Sequence, residues 1–152
     1  TPSFLKIQEH VSIKGWDFYF LYMSVDGMAR GFISEDKLES IKESICGINN
    51  PIAFIFHHPP IEPGGWLNRK LLEDRDNFNN LIYGYPNVKL VLFGHIHYHL
   101  QQTINNVIYC SASAIGFAFD RELPKFQIAD GKEGFNLIDI IDNKITIENI
   151  II

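Results

Sequence analysis

KLVLFGHIHYH, residues Lys89 to His99, divides into an apolar strand and a histidine-rich turn. Leu90 to Phe93 form a short apolar run of the kind that is buried on both faces. Gly94 then breaks the run, lacking the Cβ that would hinder a sharp turn or the close approach of a ligand. His95 and His97 follow at a spacing of two. In extended backbone, residues i and i+2 point the same way, so both imidazoles are expected to face one point beyond the strand. Open α/β sheets bind ligands in just such crevices, outside the carboxyl ends of their strands.

A second strand ends alike. Pro51 opens the run Ile52 to Phe56, which delivers His57-His58-Pro59-Pro60 into a loop rich in proline and glycine. Two buried strands that each hand histidine to the loop at their carboxyl end suggest a metal site, imidazole being the commonest metal ligand. A lone His-x-His on a loop is more often a surface or hydrogen-bonding pair; His57 or His58 at a parallel strand end shifts the balance. Three imidazoles without thiolate or adjacent carboxylate suit zinc, iron or manganese. His58 is expected to orient its neighbours, and His99 to lie outside the ligand set. His10 is expected to be a solvated histidine. Arg69 and Lys70 either meet a phosphate or simply begin a solvated helix, and Glu73-Asp74-Arg75-Asp76 is expected to be a solvated helix face. No Gly-x-Ser-x-Gly elbow supports a serine nucleophile.

The 152 residues and 46% hydrophobic content suffice for one core, and a net charge of -5 argues against a nucleic-acid footprint. Cys46 and Cys110 sit among apolar residues without a Cys-x-x-Cys, which suggests buried thiols in a reducing compartment, with one disulfide as the alternative. No apolar run reaches the roughly 18 residues of a membrane span, and no signal peptide is visible, so a cytoplasmic protein without a membrane partner is expected.

The other elements fall around these two strands. His10 to Ile13 is a candidate edge strand, and Trp16 to Ser24 an aromatic one covered on both faces. Ser34 is an N-cap candidate, with Glu35 and Asp36 in the first turn and Leu38, Ile41 and Ile45 as the apolar stripe of a helix stopped by Gly47. Leu71 to Tyr83 reads as a second helix, closed by Gly84. Leu100–Ile104 and Val107–Cys110 form a hairpin about Asn105-Asn106, and Phe135–Ile141 and Lys144–Ile150 a second about Asp142-Asn143. Ser111 to Lys125 reads as loop rather than core. The fold class is α/β: a mixed sheet with two main helices and terminal hairpins. The aromatic strand and the apolar strand Ile145–Ile152 demand more cover than two helices provide, and the opening Thr1-Pro2-Ser3-Phe4 carries no initiating Met, as in a processed chain or a fragment.

FIFHHPP (Phe54–Pro60), Gly65-Trp66-Leu67, VLFGHIH (Val91–His97) and the upstream GFISEDKLESI (Gly31–Ile41) together resemble the C-terminal half of a calcineurin-like metallophosphoesterase. They are most similar to the bacterial class III cyclic-AMP phosphodiesterase branch. The resemblance runs from about Val11 to the end. It implies an α/β/β/α sandwich and two divalent ions (Fe, Mn or Zn) about 3.5–4 Å apart that activate water for in-line attack on phosphorus. It implies His57 and His95 as ligands of one ion and His97 as a ligand of the other. His58 and Gly94 are placed beside the ligands, and Ser113, in the small-aromatic loop Ser111–Phe119, near the substrate.

The family's other ligands come from Asp-x-His, Gly-Asp and Gly-Asn-His motifs, and none occurs in these 152 residues. The chain is therefore expected to be the C-terminal part of a phosphoesterase domain whose N-terminal half is absent, with weak or no activity alone and at most one loosely held ion. The implied function of the intact protein is hydrolysis of a small phosphodiester, a 3′,5′-cyclic nucleotide such as cAMP. The missing half, or self-association, would cover the sheet. Two rivals stand beside this reading: a non-catalytic remnant that binds a partner, and a mononuclear three-histidine zinc hydrolase.

Overall fold

The computed structural model describes residues 9–152; Thr1-Pro2-Ser3-Phe4 lies outside them. Strands β1 (His10–Ile13), β2 (Trp16–Phe20) and β3 (Gly31–Phe32) precede helix α1 (Glu35–Ile45) and strand β4 (Ile52–Phe56). A 3₁₀ turn (Gly65–Arg69) and strand β5 (Leu72–Glu73) lead into helix α2 (Arg75–Tyr83). Strands β6 (Val88–Phe93), β7 (Leu100–Ile104), β8 (Val107–Ser111), β9 (Gly134–Ile141) and β10 (Lys144–Ile151) complete the chain.

The main sheet has six strands in the order β1-β2-β4-β6-β8-β7. Its four inner strands run parallel, and β1 and β7 are antiparallel edges. Both expected buried strands, β4 and β6, are central and paired, with Phe56 opposite Phe93. Their carboxyl ends therefore lie one strand spacing apart, about 4.8 Å.

The two faces are covered differently. On one, Phe54, Val91 and Tyr109 share a core with Ile41 and Ile45 of α1 and Phe78 and Ile82 of α2. On the other, Trp16, Ala53 and Leu90 are buried beneath Ile140, Ile145 and Ile147 of the β9–β10 hairpin. The extra cover that the sequence demands is thus partly supplied by the chain's own terminal hairpin. Its remaining side still exposes Phe135, Leu137 and Ile141.

Local chemistry sets the element ends. The Ser34 hydroxyl accepts the Lys37 N–H at 3.2 Å and caps α1 as expected. The pairs Asn105-Asn106 and Asp142-Asn143 all have positive φ, the type I′ signature that suits tight hairpins.

Five expectations need correction. The aromatic strand stops at Phe20, which is 41% exposed, so this strand is not covered on both faces throughout. The second helix starts at Arg75 rather than Leu71, because Asp74 is left-handed (φ 60°) and Leu72–Glu73 pair with β3. Glu73 and Arg75 are consequently not a solvated helix face: Glu73 pairs with Arg30 at 2.8 Å, and Arg75 with Glu62 at 2.9 Å. Within Ser111–Lys125, Ser111 ends β8 while Ala118 and Phe119 are buried, so part of this segment is core. The thiols differ as well: Cys110 is buried, but Cys46 is exposed at the end of α1. Among the described residues no helix is long and apolar enough to cross a membrane.

Candidate metal centre

His57 is the first residue beyond β4, and Gly94-His95 the first two beyond β6. The parallel ladder continues past the strands, since the Gly94 N–H donates to the His57 carbonyl at 3.0 Å. Gly94 is also where the His57 ring comes close: a Cβ there would stand 3.2 Å from its Nδ1. The glycine serves side-chain approach rather than a positive φ. The loop after His58 is tied down on both prolines. Leu72 N–H donates to Pro59 O at 2.9 Å, and the Asn79 side-chain amide donates to Pro60 O at 2.8 Å. Asn79 in turn accepts from the buried Tyr109 hydroxyl at 2.8 Å, so α2 and β8 fix where the histidines sit.

The structure brings His57, His58 and His95 together. One nitrogen from each lies within 4.8 Å of the others. His95 Nδ1 and His57 Nε2 are 3.1 Å apart and share a proton in the neutral state. Two nitrogens bound to one zinc at about 2.0–2.1 Å stand about 2.8–3.4 Å apart for ligand angles between 90° and 109°. The observed spacing therefore fits a shared cation in place of that proton. His58 is buried, and its Nδ1 has no hydrogen-bond partner among the described residues, an orphan that a cation or its coordinated shell could satisfy.

Electrostatics favour the neutral, ligating form of these rings. Burial, then the neighbouring His57, His58 and His97, hold His95 down at about 4. Burial also lowers His57 and His58. At neutral pH His95 offers a lone pair rather than a charge, as metal binding requires.

His97 sits beside this group, not in it. Its Nδ1 is 3.1 Å from the Phe117 carbonyl, and its ring stacks on Phe119 at 4.5 Å and 7°. Neither His95 nor His97 is in extended backbone: their φ values are 70° and 54°, with buried Ile96 between them. The i, i+2 argument from a strand does not hold here. The turn, not strand alternation, directs both rings. Two non-glycine residues in this region, each costing about 1–3 kcal/mol, form a cluster of backbone strain at the histidine turn.

The other candidates fall elsewhere. Ser113 is buried two residues beyond β8. His99 faces Asn136 at 3.1 Å. His10 is not merely solvated: it lies 2.7 Å from buried Asp17, at the opposite end of the sheet. Arg69 ends the 3₁₀ turn, and Lys70 follows it.

A recess of about 210 Å³ adjoins the histidines, lined by Trp66, Leu67, Lys70, His95, His97 and Phe119. Trp66 enters the sequence reading as part of a family motif and Phe119 as the end of the loop Ser111–Phe119 placed near the substrate, neither singled out as a site residue. The aromatic run Phe117–Phe119 after a small-residue segment was the available signal. A separate cavity of about 640 Å³ contains no histidine, and its Arg30, Arg69 and Arg75 are offset by Glu73, Asp74 and Asp76.

No protein-family model matches the chain. It is 32% identical over 127 residues to a 3′,5′-cyclic-nucleotide phosphodiesterase of Nostoc sp., covering 82% of this chain and 48% of that protein. It is 26% identical to a 3′,5′-cyclic adenosine monophosphate phosphodiesterase of Pseudomonas aeruginosa, covering 60% of this chain and 34% of that protein. A protein of the same name from Vibrio vulnificus is 25% identical, over 64% of this chain and 34% of its own. The chain thus spans between about a third and a half of the length of these relatives. A solved dimetal phosphatase from Danio rerio superposes on 55% of this chain and 27% of its own at a TM-score of 0.48 and 16% identity, too slight a likeness to argue from. Over most of its own length, this chain is a homologue of part of the bacterial cyclic-nucleotide phosphodiesterases.

Proposed function

We propose that the chain supplies the His57/His95 side of the active centre in a metal-dependent phosphodiesterase acting on 3′,5′-cyclic nucleotides, cAMP among them. The observation that carries this is the 3.1 Å meeting of His95 Nδ1 and His57 Nε2 beyond the carboxyl ends of two adjacent parallel strands. When bound, divalent ions (Fe, Mn or Zn) would activate water and neutralise charge building on the phosphoryl oxygens. The chain's own part is to present neutral imidazoles from a fixed loop. His57 and His95 would hold one ion, with His97 beside them toward a second; His58 and Gly94 support the rings, and Ser113 lies on the substrate side. The absence of Asp-x-His, Gly-Asp and Gly-Asn-His motifs supports placing this chain as the C-terminal part of a larger enzyme. The exposed Phe135, Leu137 and Ile141 offer that remainder, or a second copy of the chain, an apolar surface to cover.

The test is metal content and cyclic-nucleotide turnover of the whole protein, with His97→Ala and His95→Ala variants. About two ions per chain and loss of metal-dependent turnover in both variants are expected; near-normal activity of either variant refutes its role. A second reading, a mononuclear three-histidine hydrolase, is favoured by the grouping of His57, His58 and His95 within 4.8 Å. One ion per whole protein, lost on His58→Ala, would select it.

A further inference from the structure

We infer that β10 is an open strand edge along which two copies of this chain pair antiparallel, about a two-fold axis at Thr146. The pairing does not depend on the phosphodiesterase reading, since β10 contributes nothing to the histidine cluster. Among the described residues, β10 pairs with β9 and with no other strand, in a two-stranded sheet separate from the main one. It runs for eight residues in one unbroken register, with no proline, glycine or bulge. Natural sheets blunt an edge of this kind or pair it.

Hairpin geometry sets which backbone groups are open. After a tight two-residue turn the first strand residue is bonded across the hairpin, and bonded pairs then alternate. Lys144, Thr146 and Glu148 therefore direct their N–H and C=O toward β9, while Ile145, Ile147 and Asn149 direct theirs to the free edge. Two bonds at the far end agree with this phase. Ile152 N–H donates across the hairpin to Glu133 O at 3.0 Å, and Gly134 N–H donates away from it to Ala114 O at 3.2 Å. The second bond engages the start of the β9 edge, whereas β10 has no such tie among the described residues.

The side chains of β10 complement a second copy of themselves. With the axis at Thr146, Lys144 of each copy stands opposite Glu148 of the other, and Thr146 stands opposite Thr146. All three are exposed, and neither Lys144 nor Glu148 has an ion-pair partner among the described residues. These are the non-bonded pairs, in which facing side chains come closest. The bonded pairs join Ile145 to Ile147, which extends the apolar layer those residues lay over Trp16, Ala53 and Leu90. Other registers fail. An axis at Ile145 sets Glu148 against Asp142, one at Ile147 sets Lys144 against Ile150, and one at Glu148 opposes two like charges. An axis between residues sets an open backbone group against one already turned to β9, and flips one copy's inner face outward.

The test is sedimentation of the chain and of Lys144→Glu, Glu148→Lys and the double variant, each checked for folding by circular dichroism. The parent is expected to dimerise with rising concentration, and less so at high salt. Two opposite-charge cross-strand pairs are worth roughly 2- to 30-fold in the dissociation constant. Each single variant turns both pairs into like-charge pairs and should lose at least that much. The double variant should regain the parent's affinity. An equimolar mixture of the two single variants should also dimerise, because every pair across that interface again joins opposite charges; a merely adhesive surface would give no such rescue. Should a reversal fail to fold, Lys144→Gln and Glu148→Gln replace it, each with the roughly 2- to 30-fold loss. A chain still monomeric at about 1 mM means that another segment or another partner holds the edge, and overturns the pairing of copies. A dimer that ignores these substitutions, a mixture that stays monomeric, or growth past the dimer into fibres overturns the register and its two-fold closure.

Discussion

Gly31→Ala tests whether the buried His58 ring is held where the histidine cluster needs it. A Cβ on Gly31 would stand 2.7 Å from both Cγ and Nδ1 of His58 and 2.9 Å from its Cβ. Ordinary contact begins at 3.4 Å, so ring or strand must retreat by about 0.7 Å. Neither retreat is easy. His58 is only 4% exposed, and Gly31 is held in β3 by its pairing with Leu72 of β5. Overpacking of this kind costs about 1–3 kcal/mol. At about 2–4 °C per kcal/mol for a chain of this size, the midpoint of thermal unfolding should fall by about 2–12 °C. If the ring yields instead of the strand, His58 leaves its neighbours and zinc binding weakens while stability is spared. Differential scanning calorimetry and a zinc-competition titration together read both outcomes. Gly116→Ala is the control, having no atom within 4 Å of the added Cβ and no positive φ, and should be neutral or slightly stabilising. A Gly31→Ala chain that matches the parent in both midpoint and zinc affinity would falsify the claim that His58 is fixed by close packing against β3.

Tyr109→Phe removes the donor to Asn79 Oδ1 in the buried network that anchors Pro60, and should cost about 1–3 kcal/mol in urea unfolding; a loss below 0.5 kcal/mol counts against the network. Asp17 is held below the usual carboxylate range chiefly by the Ser12 hydroxyl, with Asn50 and His10 adding to this and burial opposing it. Its contribution to stability is therefore complete above the unfolded value of about 3.9 and disappears as pH falls through the lower folded value. Unfolding midpoints measured down to about pH 2 should drop less steeply in Asp17→Asn than in the parent; parallel curves refute the linkage. The two thiols should react at very different rates. Cys46 is exposed, while burial pushes Cys110 up to about 11, so a thiol reagent should modify one cysteine rapidly in the folded chain and two in denaturant. Two fast thiols would contradict the fold around β8. In this chain alone, His57→Ala or His95→Ala should reduce zinc affinity at least tenfold. His97→Ala should reduce it less, since Nδ1 of that ring already faces the Phe117 carbonyl; the opposite ranking would refute the geometry of the cluster.

The sheet was legible because its signals are local and redundant. Ile52–Phe56 and Val88–Phe93 are short, apolar and followed by histidine, and burial on both faces is what makes a strand read as an unbroken apolar run. Asn-Asn and Asp-Asn occupy the positive-φ turn positions of the two hairpins, and Ser34 takes up a free N–H of α1. What was not legible depends on contacts between distant segments. The aromatic run Phe117–Phe119 does not by itself say which of its rings is core; Phe119 is buried because His97 offers a ring to stack on and a carbonyl to bond. Nothing local sets Asp74 left-handed either: Leu72–Glu73 are captured as a strand by β3, and the chain must turn before α2 can start. The same holds at His95 and His97, where tertiary packing of Ile96 overrides the extended geometry that their spacing suggested.

The composition of the cluster explains why one chain of this kind would fall short of a two-ion centre. All the side chains grouped there are imidazoles, neutral when they ligate, so they offset none of a cation's charge. Unit charges 4 Å apart interact by about 4 kcal/mol at an effective dielectric constant of 20, and two divalent ions at that distance therefore repel by about 16 kcal/mol. Neutral nitrogens can bind each ion, but only anionic ligands can offset that repulsion. In the proposed reading the carboxylates must come from outside the cluster, which matches the Asp-bearing motifs these 152 residues lack. The histidines then have a separate task. Held below ordinary imidazole basicity by burial, His57 and His95 are ready to ligate across neutral pH, and the strained turn at His95 and His97 fixes their approach before any cation arrives. A second segment bringing carboxylates to the same rim would meet a half-site that already has its nitrogens in place.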